Sequence, residues 1–203
     1  MYISPSSPSS SSSVLQAQAR AIMDPRGLLA PLHLLAFSTL LGTQLYQTFV
    51  VTKICYVSLP RPAFTTLQKR LFPIYFRSQS LLLLLTVVTV PSRGGPLSVI
   101  ANKAAWIPFA IAGVTATLNC WVYGPRTRQL MIERVQQETQ DSLQKQAPGD
   151  RVVSETPGPE LQRIRRAFSR NHAMSIHLNL LSIGAMLWWG YKLASSLELK
   201  LDL

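Results

Sequence analysis

The side chains here that can act near neutral pH as nucleophile, proton shuttle or soft metal ligand are few: His33, His172, His177, Cys55 and Cys120. No HExxH, GxSxG, phosphate-loop or paired Cys/His metal spacing joins them, so hydrolytic, acyl-transfer and nucleotide chemistry lack a sequence basis. No metal and no cofactor is expected. The informative spacing belongs to other polar residues. His172, Ser175, Asn179, Ser182 and Met186 recur at steps of three and four and so share one helix face, with His177 on another. His33, Gln44 and Thr48 share a face of an earlier segment, with Gln47 one turn from Gln44, and Ala105, Ala112, Ala116 and Asn119 form a small-residue stripe. The chemistry of such groups depends on the solvent around them, and that is set by the elements that carry them.

Those elements are long apolar runs. Residues 27–52, 104–125 and 173–191 carry no formal charge, and the last closes on Trp188, Trp189 and Tyr191, an aromatic cluster suited to lipid headgroups. A fourth run, 78–92, is short alone and reaches full length when extended back through Leu71, Phe72, Ile74, Tyr75 and Phe76. A bilayer core of ~30 Å needs about 20 helical residues, so four spans are predicted, at about 28–52, 71–92, 104–124 and 173–192. Only 14% of the 203 residues are charged, about half the usual share, and the 47% that are hydrophobic, an ordinary fraction, are bunched into long runs, which argues against a water-soluble globule, a disulfide scaffold and a disordered chain. Continuous runs, not alternating ones, exclude a β-barrel. The fold class expected is an all-α membrane protein, four transmembrane helices with amphipathic interfacial helices.

The net charge of +11 belongs to the connections. Lys53, Arg61, Lys69, Arg70 and Arg77 flank the first loop, and the third holds Arg126, Arg128, Arg134, Lys145, Arg151, Arg163, Arg165, Arg166 and Arg170. The positive-inside rule then places loops 53–70 and 125–172 in the cytosol, both termini on the other side, and anionic lipid headgroups against the basic loops. No nucleic-acid-reading motif accompanies the charge. Residues 1–26 read as a disordered Ser/Pro-rich tail without the apolar core of a signal peptide, so the first span is expected to act as an uncleaved anchor. Arg20 and Arg26 are the tail's only bases, which fits an endomembrane better than a mitochondrial transit peptide. The membrane domain is expected over 27–197, followed by a short tail, 198–203.

Between the spans, Phe64, Leu67, Leu71, Phe72 and Tyr75 recur at helical intervals, predicting an interfacial helix that bends into the second span at Pro73. Residues 126–146 are good helix formers, 147–160 read as a flexible Pro/Gly linker, and 161–171 as a basic amphipathic approach to the last span. Cys55 and Cys120 fall near cytosolic span ends, where free thiols, one of them open to palmitoylation, are expected instead of a disulfide.

Four blocks carry a family resemblance: LHLLAFSTLLGTQLYQTFV (32–50), SLPRPAFTTLQKRLFPIYF (58–76), NCWVYGPRTRQLM (119–131) and AFSRNHAMSIHLNL (167–180). Together they resemble the transmembrane protein 205 family, whose shared region is a domain of unknown function. The positions that carry it are Pro60, Arg61, Phe64, Gln68, Leu71, Phe72, Pro73, Tyr75 and Phe76, then Asn119, Pro125, Arg126 and Thr127, then Phe168, His172, Ser175 and Asn179. The resemblance implies a four-span helical membrane protein and no established reaction. Ala173 stands where the family has Gly, and Gly124 where animal members have an acid.

The expected site is a polar intramembrane seam of His33, Gln44, Asn119, His172, Ser175 and Asn179. Polar groups within lipid are costly and mark function by default, yet they also join helices at about 0.6 kcal/mol each. The leading expectation is a non-enzymatic scaffold or partner- and lipid-binding module, alone or as a homo-oligomer. The alternative is an oligomeric transporter or export factor for a small solute or metal complex along the seam. A membrane-embedded enzyme acting on lipid or sterol, with His172 as acid/base, is the third.

Overall fold

A computed structural model of the chain describes residues 25–91, 103–146 and 158–195. The described residues form four helical rods. α1 runs Pro25–Leu45, widens into a π-helical turn over Tyr46–Val51 and resumes over Thr52–Ser58. α2 is Arg61–Val88. α3 comprises Lys103–Leu118, a second π-helical turn at Asn119–Tyr123, and Gly124–Gln146. α4 is Pro159–Ser195. At ~1.5 Å per residue the 37 residues of α4 extend about 55 Å, well beyond a bilayer core.

Several boundaries differ from those the sequence predicts. Pro25 and Arg26 already belong to α1, and the linker expected over 147–160 gives way to helix before its end, since Pro159 and Glu160 open α4. Proline suits that place, because the first turn of a helix has no use for its missing N–H. Residues 1–24 of the tail, 147–157 of the linker and the tail 198–203 lie outside the described residues. The helix that carries the second span, expected at about 71–92, ends at Val88. The amphipathic stretches run on into the spans, as expected for the second and the last: 61–76, 125–146 and 159–172 are continuous with the rods, and Pro73 lies inside α2 without ending it. Proline costs one backbone hydrogen bond and crowds the preceding turn.

The turn between α1 and α2 follows from its prolines. Leu59 is driven to extended geometry (φ −106°, ψ 141°) by the proline after it, and Pro60 is extended as well. Pro62 then sits in the first turn of α2, and the first helical bond runs from Phe64 N–H to the Pro60 carbonyl at 2.9 Å.

α1 packs on α2 and α4, and α3 on α2 and α4, closing a four-helix ring. Its apolar core lies in the half away from the α1–α2 turn: Phe37, Leu40, Leu83, Phe109, Ala112, Ala116, Met186 and Trp189. Ala112 and Ala116, in the predicted small-residue stripe, are both buried, which lets α3 approach its neighbours closely. The outside is inverted relative to a soluble bundle. Trp121, Val57, Tyr191 and Leu81 are 67–79% exposed, and only 28%, 28% and 33% of the most apolar stretches of α1, α2 and α3 are buried. Apolar surface on this scale marks contact with lipid or protein, not water. α1, α2 and α3 are each long and apolar enough to cross a membrane. α4 falls below them in mean hydropathy, its apolar stretch being interrupted by Ser175, His177, Asn179 and Ser182.

Candidate functional site

The buried polar side chains are stacked in layers along the bundle axis. Nearest the core, Trp189 Nε1–H donates to His33 Nε2 at 3.1 Å, and His33 Nδ1 lies 2.9 Å from the Thr86 carbonyl. The indole is a donor only, so Nε2 must accept and the proton sits on Nδ1, donated to Thr86. His33 is thereby fully used in tying α1, α2 and α4 together, with its ring edge-on to Trp189 at 5.7 Å.

A dry layer follows, formed by Leu40, Leu83, Ala112 and Met186, all buried. Beyond it, Gln44 and Gln79 donate from Nε2 to Ser182 Oγ at 2.9 and 3.1 Å. One turn further, Tyr75 OH donates to Asn179 Oδ1 at 2.8 Å, Asn179 Nδ2 donates to Thr48 Oγ1 at 2.8 Å, and Asn119 Nδ2 donates to the Ser175 carbonyl at 3.1 Å.

Both π-helical turns lie at this level, and each has a local cause. In α1, the Gln47 carbonyl takes both the Thr52 N–H and, at 2.8 Å, the Thr52 hydroxyl, which favours the wider turn. In α3, the Gly124 N–H reaches the Asn119 carbonyl. A Cβ on Gly124 would lie 2.5 Å from that oxygen and 3.2 Å from the Phe76 ring, so only glycine fits. π-turns are frequent at functional sites.

The turns frame a cavity of about 290 Å³ at the end of the bundle that carries the first and third connections. α1 contributes Gln47, Thr48 and Thr52; α2 contributes Gln68, Lys69, Phe72, Pro73, Tyr75, Phe76 and Arg77; α3 contributes Cys120, Gly124, Pro125, Thr127, Arg128 and Met131; α4 contributes His172, Ser175, Ile176 and Asn179. Two features point to a ligand. Gln68 is 2% exposed, yet neither its amide nitrogen nor its oxygen has a hydrogen-bond partner, and Thr127 Oγ1 is likewise buried and unpaired. An orphaned buried amide costs about 1–3 kcal/mol, a cost a bound molecule would remove. Lys69, Arg77 and Arg128 line the space, and among the described residues no carboxylate does.

Beyond the cavity the extensions of α3 and α4 pair with each other. Arg134 and Arg165 both bind Glu138, at 3.0 and 2.8 Å, and the Arg134 guanidinium lies 5.9 Å over the Phe168 ring. Phe168 in turn stacks on His172. Leu161 and Ile164 are buried on this stretch of α4.

The six residues of the expected seam therefore divide. His172, Ser175 and Asn179 line the cavity, with Asn119 directly behind Ser175 and Gln44 one layer deeper. His33 stands apart, across the dry layer. Of the residues named from the family resemblance, Gln68, Phe72, Pro73, Tyr75, Phe76, Pro125 and Thr127 face the cavity, Phe168 supports His172, and Pro60, Arg61, Phe64, Leu71 and Arg126 do not line it. Gln79, Thr86 and the indole N–H of Trp189 join the network without having been expected there. Gln68, Phe72, Tyr75, Gln79, Leu83 and Thr86 follow steps of four and three, a helical stripe that signals the first two from the sequence. Among the described residues no three His, Cys, Asp or Glu side chains gather as metal ligands.

Residues 35–136, from α1 through most of α3, match the profile of a domain of unknown function, DUF4149. The chain belongs to this family. It is also 40% identical over 181 residues to the protein named "Xanthocillin biosynthesis cluster protein D" of Aspergillus fumigatus, covering 88% of this chain and 97% of that relative. No solved structure is significantly similar. The DUF4149 region supplies three walls of the cavity, and α4, which lies beyond it, closes the fourth.

Proposed function

We propose that this DUF4149 protein is a non-enzymatic membrane module of the transmembrane protein 205 type that holds an amphiphile in the cavity at the basic end of its bundle. The observation that carries this reading is the buried, unpaired Gln68 amide on the wall of a cavity that Lys69, Arg77 and Arg128 also line and that no described carboxylate lines. The apolar exterior supports placement in a bilayer. Four crossings are proposed, not three, because α4 turns Leu180, Leu181, Leu187 and Trp188 outward while burying Ser175, Asn179 and Ser182. A helix with that division, closing the ring beside three apolar helices, belongs at the same depth as they do.

In this reading loops 53–70 and 125–172 face the cytosol, an endomembrane is the compartment, and membrane lipids, further membrane proteins or a second copy are the partners. Nucleic acid is not among them. The likeness to a protein named for a biosynthesis cluster fits a membrane module that serves the making of a small molecule. His172 faces the cavity stacked on Phe168, and among the described residues no carboxylate lines that space to orient it, so this reading gives it no acid/base role. Transport along the axis is disfavoured by the dry layer of Leu40, Leu83, Ala112 and Met186, which separates the cavity from His33.

Native mass spectrometry of the protein released directly from membranes tests the reading. Retention of a phospholipid or other amphiphile, lost on Gln68→Trp filling of the cavity, is the expected result. Bare protein in every preparation would overturn it.

A further inference from the structure

We propose that the cavity seats the headgroup of an anionic phospholipid, gripped through its phosphate by Lys69, Arg77 and Arg128. This rests on the lipid-binding reading above and names its ligand class. Lys69 and Arg77 come from α2 and Arg128 from α3, so the cavity carries positive charge on two of its walls. Cationic nitrogens make short, strong hydrogen bonds to phosphate oxygens, and with Lys69 half-buried and Arg77 and Arg128 exposed, these charges are open to a headgroup phosphate at the interface. The charged groups cannot serve one another, because all three are positive and no described acid lines the space. Gln68 and Thr127 supply the neutral half of the site: an amide and a hydroxyl, both buried, both unpaired, both on the cavity wall. They match the remaining phosphate and glycerol oxygens. The residual apolar wall and the neighbouring lipid-facing surface receive the chains. A free phosphate would leave that apolar wall empty, which is why the occupant is a lipid.

Cys120 lines the same cavity and reports its occupancy. Only one other cysteine exists, so Cys55→Ser leaves a single thiol in the full chain. The experiment reconstitutes this variant into nanodiscs of phosphatidylcholine, with or without phosphatidic acid, and follows alkylation of Cys120 by a small maleimide. Phosphatidic acid is expected to slow alkylation about tenfold, and Lys69→Gln with Arg128→Gln to abolish the slowing, since each base near an anionic headgroup adds to its hold. Arg128→Lys, which keeps the charge, retains it. Gln68→Leu removes the unpaired amide, keeps the fold by circular dichroism, and weakens the protection, which a purely structural Gln68 would not do.

Equal protection by phosphatidylcholine alone would overturn the anionic assignment while leaving lipid binding intact. Protection by soluble glycerol phosphate as strong as by phosphatidic acid would overturn the lipid assignment. Alkylation unaffected by every lipid would overturn both this proposal and the reading on which it rests.

Discussion

His33 shows how a single residue type can mislead and then instruct. A histidine within an apolar helix reads as a proton carrier or ligand, yet both of its nitrogens are already committed, one to the Trp189 indole and one to the Thr86 carbonyl. Interhelical hydrogen bonds of this kind couple by about 0.6 kcal/mol on average and about 1.7 at most within membranes. A double-mutant cycle of His33→Leu and Trp189→Phe, read from unfolding in mixed micelles, is therefore expected to give a coupling in that range with no change in lipid retention. A large loss of lipid binding from either single variant would show that the two ends of the bundle communicate. Gln68 is the opposite case: a residue without a partner, where packing alone gives no reason for an amide.

At the scale of elements, the paired extensions of α3 and α4 are held by charge as well as by Leu161 and Ile164. Partial burial pushes the Glu138 carboxyl upward, but hydrogen bonds from Arg165 and Arg134 and their positive charges outweigh it and hold the group below its ordinary range. A lowered folded-state pKa contributes stability above the unfolded value and loses it as pH falls through the folded one. The clamp is thus expected to be closed at neutral pH and to open only in acid, below the ordinary glutamate range. Its worth is that of a solvent-accessible pair, about 0.2–1 kcal/mol, so the helices loosen without unfolding. Spin labels at Gln136 and Arg166 would report the distance between the two extensions. Glu138→Gln is expected to broaden that distribution at neutral pH to the width the unsubstituted clamp reaches in acid, and to abolish the pH response. An unchanged distribution would assign the pairing to Leu161 and Ile164 alone.

For the molecule as a whole, the decisive question is whether α4 crosses. Four crossings put the two ends of the chain on one side of the membrane, and three put them on opposite sides. Protease protection in sealed vesicles, with an epitope tag at each end, is expected to protect both tags or expose both. One protected and one exposed tag would remove α4 from the bilayer and with it the fourth wall of the cavity. Resistance to alkaline carbonate extraction is expected in either case, because the apolar exterior of α1, α2 and α3 alone is enough to hold the protein in lipid.

Helix positions were legible in the residues because hydrophobic length and period act locally: the continuous runs of α1 and α3, and the polar face of α4, need no knowledge of partners. The same holds for the turn at Leu59 and Pro60, where proline restricts its own neighbourhood. What the chain could not disclose by itself is pairing across distance. The division of the seam by Leu40, Leu83, Ala112 and Met186, the Gln44–Ser182–Gln79 bridge and the two π-turns arise only when four helices set one another's depth and rotation. The cavity is the product of that packing, since its walls come from helices at opposite ends of the chain, and polar groups left unsatisfied by it exist only in three dimensions.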